Sequence, residues 1–224
     1  MRTEHRSPRY SAIDLWEPAD ILDAMIEGQF AAVAAVHAAR PALERAALAI
    51  EQRLRAGGRL VYAGAGTSGR LAVQDGAELM PTFSWPAERL VLLMAGGRDA
   101  LLRAVEGAED EAEAAALLVE RHQIGAGDAL AAVAASGTTP FTLACLRAAA
   151  GRGALTVGIA NNANTPILDE ADHPRGRGLP GHAWHDVPRD HRPDLRAARP
   201  ALVGADRLPE LILPGRGPRR TLYA

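Results

Sequence analysis

Two carboxylates and two hydroxyl-rich turns are the groups in this chain whose types and spacing suit chemistry. Glu78 lies in "DGAELMPTF", and Glu109 lies in "VEGAEDEAE" beside Glu106, Asp110 and Glu111. Two carboxylates on opposite sides of a sugar act as general acid and general base when their surroundings separate their pKa values. For Glu109 the plainer alternative is a solvated acidic helix face. That alternative is weaker for Glu78, because Ala77, Leu79 and Met80 around it point to partial burial.

The turns are "GAGTSG" (64–69) and "ASGTTP" (135–140), each placed where an apolar run ends and a helical stretch begins. A helix N-terminus presents unpaired N–H groups and about half a unit of positive charge, and glycine lets the backbone approach an oxyanion closely. The matched alternative is ordinary capping by Ser or Thr. Thr67, Ser68, Ser136, Thr138 and Thr139 exceed what two caps require, so shared anion binding is the preferred expectation. "GAGTSG" also fits G-x-G-x-x-G. A dinucleotide site, however, wants an acidic residue closing the second strand, where this chain has "LMAGGRD". No Lys follows the glycines, so the P-loop pattern fails.

These groups need a scaffold, and the hydrophobic pattern supplies one. Residues 1–17 read as an extended arm. Apolar residues at helical spacing then predict two helices separated by Pro41 and ended by Gly57-Gly58. Short β runs follow at 59–64, 89–97, 128–137 and 154–162, with helical stretches between them, including one long acidic helix over 98–123. This alternation predicts an α/β fold, a three-layer sandwich with a parallel sheet preceded by N-terminal helices. Ligands on such sheets bind at the carboxyl ends of the strands.

Composition narrows the class. The 224 residues carry 25 basic and 27 acidic side chains, a net charge of -2, which removes the electrostatic case for general nucleic-acid binding. The single Cys145 rules out a disulfide framework and is expected to be a buried structural thiol in a reducing compartment. With no secretory leader and no apolar run judged long enough to span a membrane, a soluble cytoplasmic protein is expected.

Taken together, "GGRLVYAGAGTSGRLAVQDGAELMPTF", "VEGAEDEAE", "AASGTTPF" and "GALTVGIANN" resemble the N-acetylmuramic acid 6-phosphate etherases of the SIS (sugar isomerase) superfamily, from about Arg9 to about His173. The resemblance implies a flavodoxin-like SIS domain over 57–173, after an N-terminal arm and helices at 1–56. It implies cleavage of a lactyl ether to N-acetylglucosamine 6-phosphate and D-lactate by elimination and hydration, with no metal or organic cofactor, in a homodimer. By position, Glu78 matches the family's proton donor and Glu109 its second catalytic carboxylate. Gly66, Thr67, Ser68, Gly69, Ser136, Gly137, Thr138 and Thr139 are the candidate substrate-binding residues. Thr138 stands where many members carry arginine, so a hydroxyl replaces a cation near the phosphorylated amino sugar.

After "ADHP" the resemblance stops, and the family's glycine-rich segment ending in G-S-T-R-x-K-A-G-T-x-Q-K is not found. Residues 174–224 instead hold ten of the 25 arginines and eight of the 15 prolines, a composition that predicts sparse regular structure. The abrupt change is read as a frame shift after His173, and a metal set of His182, His185 and His191 is disfavoured. Two other classes stay open: a sugar-phosphate-binding SIS module without catalysis, which includes an inactive truncated etherase, and a sugar-phosphate isomerase. "ELMPTF" disfavours the isomerase.

Overall fold

The computed structural model describes residues 7–171, so the Arg/Pro-rich tail, the position of the proposed frame shift and His182, His185 and His191 lie outside the described residues. Short 3-10 turns at Pro8–Tyr10 and Ile13–Leu15 precede α1, Pro18–Arg55. The order is then β1 Leu60–Gly64, α2 Gly66–Phe83, β2 Leu90–Met94, α3 Asp99–Leu102, α4 Ala112–Arg121, β3 Ala129–Val133, α5 Pro140–Gly151, β4 Leu155–Ile159 and α6 Pro166–Glu170.

All four strands are parallel and form one sheet in the order β2-β1-β3-β4. Strand side chains alternate between its faces. Val61, Ala63, Leu130 and Ala132 pack with Ala115 and Val119 of α4 and Phe141, Cys145 and Leu146 of α5. On the other face Leu60, Tyr62 and Leu90 meet Leu54 of α1 and Leu79 of α2. The result is the expected three-layer α/β arrangement. Cys145 is buried, and that burial pushes its thiol pKa up to about 12, the state of an inert packing group.

Three expectations are corrected. Pro41 does not separate two helices; it lies inside the continuous α1. Proline forfeits one intrahelical bond there, but the neighbouring Ala39 and Ala42 are buried, and this packing holds the helix through the defect. The long acidic helix over 98–123 is broken into α3, a 3-10 turn at Ala108–Asp110 and α4. The helix stops at Arg103, which is extended at φ -144, and the 3-10 turn starts only after Gly107 at φ +74. Finally, α1 is long and apolar enough to cross a membrane by length and composition, because its alanine-rich stretch counts as apolar throughout.

Candidate functional site

β1 sends the chain to β2 on one side, whereas β3 lies on β1's other side. The carboxyl ends of β1 and β3 therefore flank the point where the chain direction across the sheet reverses, the usual place for a ligand crevice. Both hydroxyl-rich turns emerge at this point. A hydrogen bond ties them together: the Ala135 backbone N–H donates to Ser68 Oγ at 3.3 Å.

The first turn opens α2. Its N-cap is Ala65, which makes no side-chain cap bond, and the first intrahelical backbone bond of this turn runs from Gly69 N–H to Ala65 O at 3.0 Å. The N–H groups of Gly66, Thr67 and Ser68 precede that bond and point out of the helix start, as the geometry of any α-helix requires. Gly66 and Thr67 are exposed, Ser68 is half-buried and Gly69 is buried. Gly69 has a packing duty: a Cβ there would lie 2.7 Å from the Gly64 carbonyl. Its lack of a side chain presses α2 onto the end of β1.

The second turn is held from within and from below. Ser136 Oγ accepts from the Thr138 N–H at 3.2 Å and lies 3.4 Å from Thr139 Oγ1. Asn162 Nδ2 donates to Ser136 O at 3.1 Å, and the Ile167 N–H donates to Gly137 O at 3.2 Å. Gly137 adopts φ +76 directly over Thr165, leaving no room for a Cβ. Thr165 Oγ1 is buried there without a hydrogen-bond partner. Thr139 is the N-cap of α5 and makes no side-chain cap bond. Neither helix start has a side-chain cap bond from its N-cap residue.

Both carboxylates are exposed, which departs from expectation for Glu78 alone. Glu78 is exposed, as are its neighbours Ala77 and Met80, and only Leu79 of that group turns inward. The partial burial read from flanking apolar residues is corrected, because α2 buries just one narrow face formed by Gly69, Ala72, Gly76 and Leu79. One turn before Glu78, Asp75 accepts a 2.5 Å bond from the Tyr62 hydroxyl. Burial and the Asp75 charge raise the Tyr62 pKa well above its ordinary value. Glu109 sits on the 3-10 turn and is also exposed, whereas its neighbour Ala108 is buried.

Sequence reasoning missed the residues that hold these groups in place. Arg70, next to the first turn, donates to Ala100 O at 2.8 Å and to Arg103 O at 3.2 Å. Asn162 and Thr165 brace the second turn from a loop far along the chain. No local spacing announced these contacts, since each joins segments separated by 26 residues or more. Among the described residues no group of three or more His, Cys, Asp or Glu has a metal-holding arrangement.

Comparison with known proteins fits this geometry. Residues 43–150 match the family model of the glucokinase regulatory protein N-terminal SIS domain. An N-acetylmuramic acid 6-phosphate etherase from Deinococcus radiodurans is 51% identical over 173 residues, covering 77% of this chain and 57% of that protein. One from Rubrobacter xylanophilus is 44% identical over 172 residues, with the same shares covered. The chain therefore spans a little over half the length of these curated relatives. The solved structure of a phosphoheptose isomerase from Francisella tularensis superposes with a TM-score of 0.55 at 21% identity, covering 70% of this chain and 82% of that one. The architecture is the α/β SIS fold.

Proposed function

We propose that this chain, similar over most of its length to N-acetylmuramic acid 6-phosphate etherases, cleaves the lactyl ether of this phosphorylated amino sugar to N-acetylglucosamine 6-phosphate and D-lactate. The observation that carries the proposal is the 51% identity over 173 residues with a curated etherase. The paired turns support it independently, because their open helix N-termini and hydroxyls suit a phosphate dianion.

In this reading the sugar phosphate rests between Gly66, Thr67, Ser68 and Gly69 on one side and Ser136, Gly137, Thr138 and Thr139 on the other. Glu109 takes the proton from the carbon beside the open-chain aldehyde. Glu78 protonates the departing lactate oxygen as the carbon–oxygen bond breaks, and water then adds to the unsaturated sugar. The water oxygen ends in the sugar and the ether oxygen in lactate. Turnover in 18O-labelled water tests this balance: label is expected at C3 of N-acetylglucosamine 6-phosphate, apart from solvent exchange at the C1 aldehyde, and none in the lactate hydroxyl. Label in that hydroxyl would instead mark attack of water on the lactyl carbon.

The reading includes a homodimer, for which α1 supplies a surface. Leu22, Met25, Ile26, Phe30 and Val33 recur at helical spacing and are each more than half exposed. Asp20, Asp23 and Glu27 lie in the first half of the helix, Glu27 paired with Arg9, whereas the second half mixes Arg40, Arg45, Arg53 and Arg55 with Glu44 and Glu51, of which Glu51 pairs with Arg55. Asp23 and Glu27 within the apolar stretch favour a protein partner over lipid, where an ionised carboxylate is costly. A cytoplasmic location is part of the same proposal.

A further inference from the structure

We infer that Arg70 is a positioning residue for Glu109, coupling the helix start of the first turn to the segment that carries the second carboxylate. This rests on the reading of Glu109 as catalytic. Arg70 lies one residue beyond Gly69, so its backbone is fixed by the same packing of α2 on β1 that shapes the turn. Its side chain leaves α2 and crosses to the connection after β2, where Nε donates to Ala100 O and Nη2 to Arg103 O. An arginine fork offers donors in a fixed plane, which suits two carbonyls of one short segment.

The connection is pinned at three places. Its start follows β2, where the Ala95 N–H donates to Gly64 O at 3.1 Å. Its middle folds over Gly96, with the Cβ atoms of Ala100, Val105 and Ala108 between 3.0 and 3.2 Å from the point a Gly96 side chain would occupy. Its end is anchored by Ala108, buried in the core on the face that carries α4 and α5. Between these points Leu102, Arg103, Val105 and Glu106 are exposed, and α3 is only four residues long. Little apolar burial holds this stretch. The two Arg70 bonds span it from α2, and Glu109 lies six residues beyond the second.

A carboxylate that must meet a particular carbon-bound proton loses rate steeply when displaced, while binding of the distant phosphate is little affected. The structure therefore predicts a kcat effect rather than a KM effect. The test combines hydrogen exchange with steady-state D-lactate release, using the full chain as wild type, Arg70→Lys, Arg70→Ala, Glu109→Gln and the Arg70→Ala/Glu109→Gln double variant. In Arg70→Ala, amide exchange over residues 99–111 is expected to accelerate by about tenfold while β1 and β3 keep their protection. Its kcat is expected to fall about 10- to 100-fold with KM within about threefold.

The double variant is expected to be no slower than Glu109→Gln, because a displaced carboxylate and an absent one lose the same step. Arg70→Lys, which reaches one carbonyl but lacks the fork, is expected to fall between, and it carries the test if the alanine variant aggregates. Unchanged exchange over 99–111 overturns the anchoring. Additive rate losses in the double variant overturn the link to Glu109. Wild-type lactate release by Glu109→Gln overturns the catalytic reading instead, and the exchange result still decides whether Arg70 holds the segment.

Discussion

Gly137 carries two constraints at once, a φ of +76 and the Thr165 side chain directly beneath it. Ala at this position must either strain the backbone or push α6 away from the second turn. Gly137→Ala is expected to lower stability by about 1–3 kcal/mol, the cost range of a strained backbone site, read as a lower urea midpoint with an unchanged slope. The hydroxyl and glycine content of both turns was legible in the sequence. The division of labour among the glycines was not: Gly69 serves the approach of α2 to Gly64, a contact that depends on how the helix lies on the strand. The exposure of Glu78 escaped detection for a related reason. Apolar neighbours along a helix do not share its face, and Ala77 and Met80 point away from the sheet that Leu79 enters.

The elements were more legible than their interruptions. Each strand is a short apolar run bounded by turn residues, and each appeared inside the stretch expected for it. The break after Leu102 and the continuity through Pro41 depend instead on tertiary packing around Ala108, Ala39 and Ala42. The opposite end of the sheet from the turns is closed by an ion pair that joins the starts of β1 and β3. Arg59 Nη2 lies 2.7 Å from Asp128 Oδ2, and the same side chain donates to the His122 and Gln123 carbonyls. Burial of Asp128 raises its pKa, but the Arg59 side chain and the Gly125 and Arg59 backbone N–H groups outweigh that effect and hold it below the ordinary carboxylate value.

A carboxylate depressed in the folded state adds stability above its unfolded pKa, about 3.9, and loses it as pH falls through the folded value. Asp128→Asn is expected to cost about 1.5–3 kcal/mol at pH 7, the range for hydrogen bonds to a charged group. It is also expected to flatten the decline of stability between about pH 5 and the acid transition. Urea titrations of both proteins from pH 7 to pH 3 provide the check, and parallel pH profiles would remove Asp128 from the acid response.

At the scale of the whole molecule, the order β2-β1-β3-β4 decides where the turns meet, and that order is not written in any local window. The repeating strand-helix pattern foretold a parallel sheet with turns at one edge; only the assembled sheet places Ser68 against Ala135. The exposed stripe on α1 was visible as helical periodicity, but its lack of a cover became evident only once the other helices were in place. Phe30→Asp combined with Val33→Asp is expected to convert a dimer into a monomer by light scattering coupled to gel filtration, with the SIS domain still folded. A dimer that survives both substitutions would move the interface elsewhere.

The central claim is that this chain's paired turns and two glutamates cleave a lactyl ether on a phosphorylated amino sugar. Its most direct test is enzymatic detection of D-lactate released from N-acetylmuramic acid 6-phosphate by the purified full chain, beside Glu78→Gln and Glu109→Gln. The account predicts steady release by the wild type and losses of about 100-fold or more in each variant, the scale of a missing general acid or base. Absence of lactate with folded wild-type protein, or equal release by all three, would contradict it.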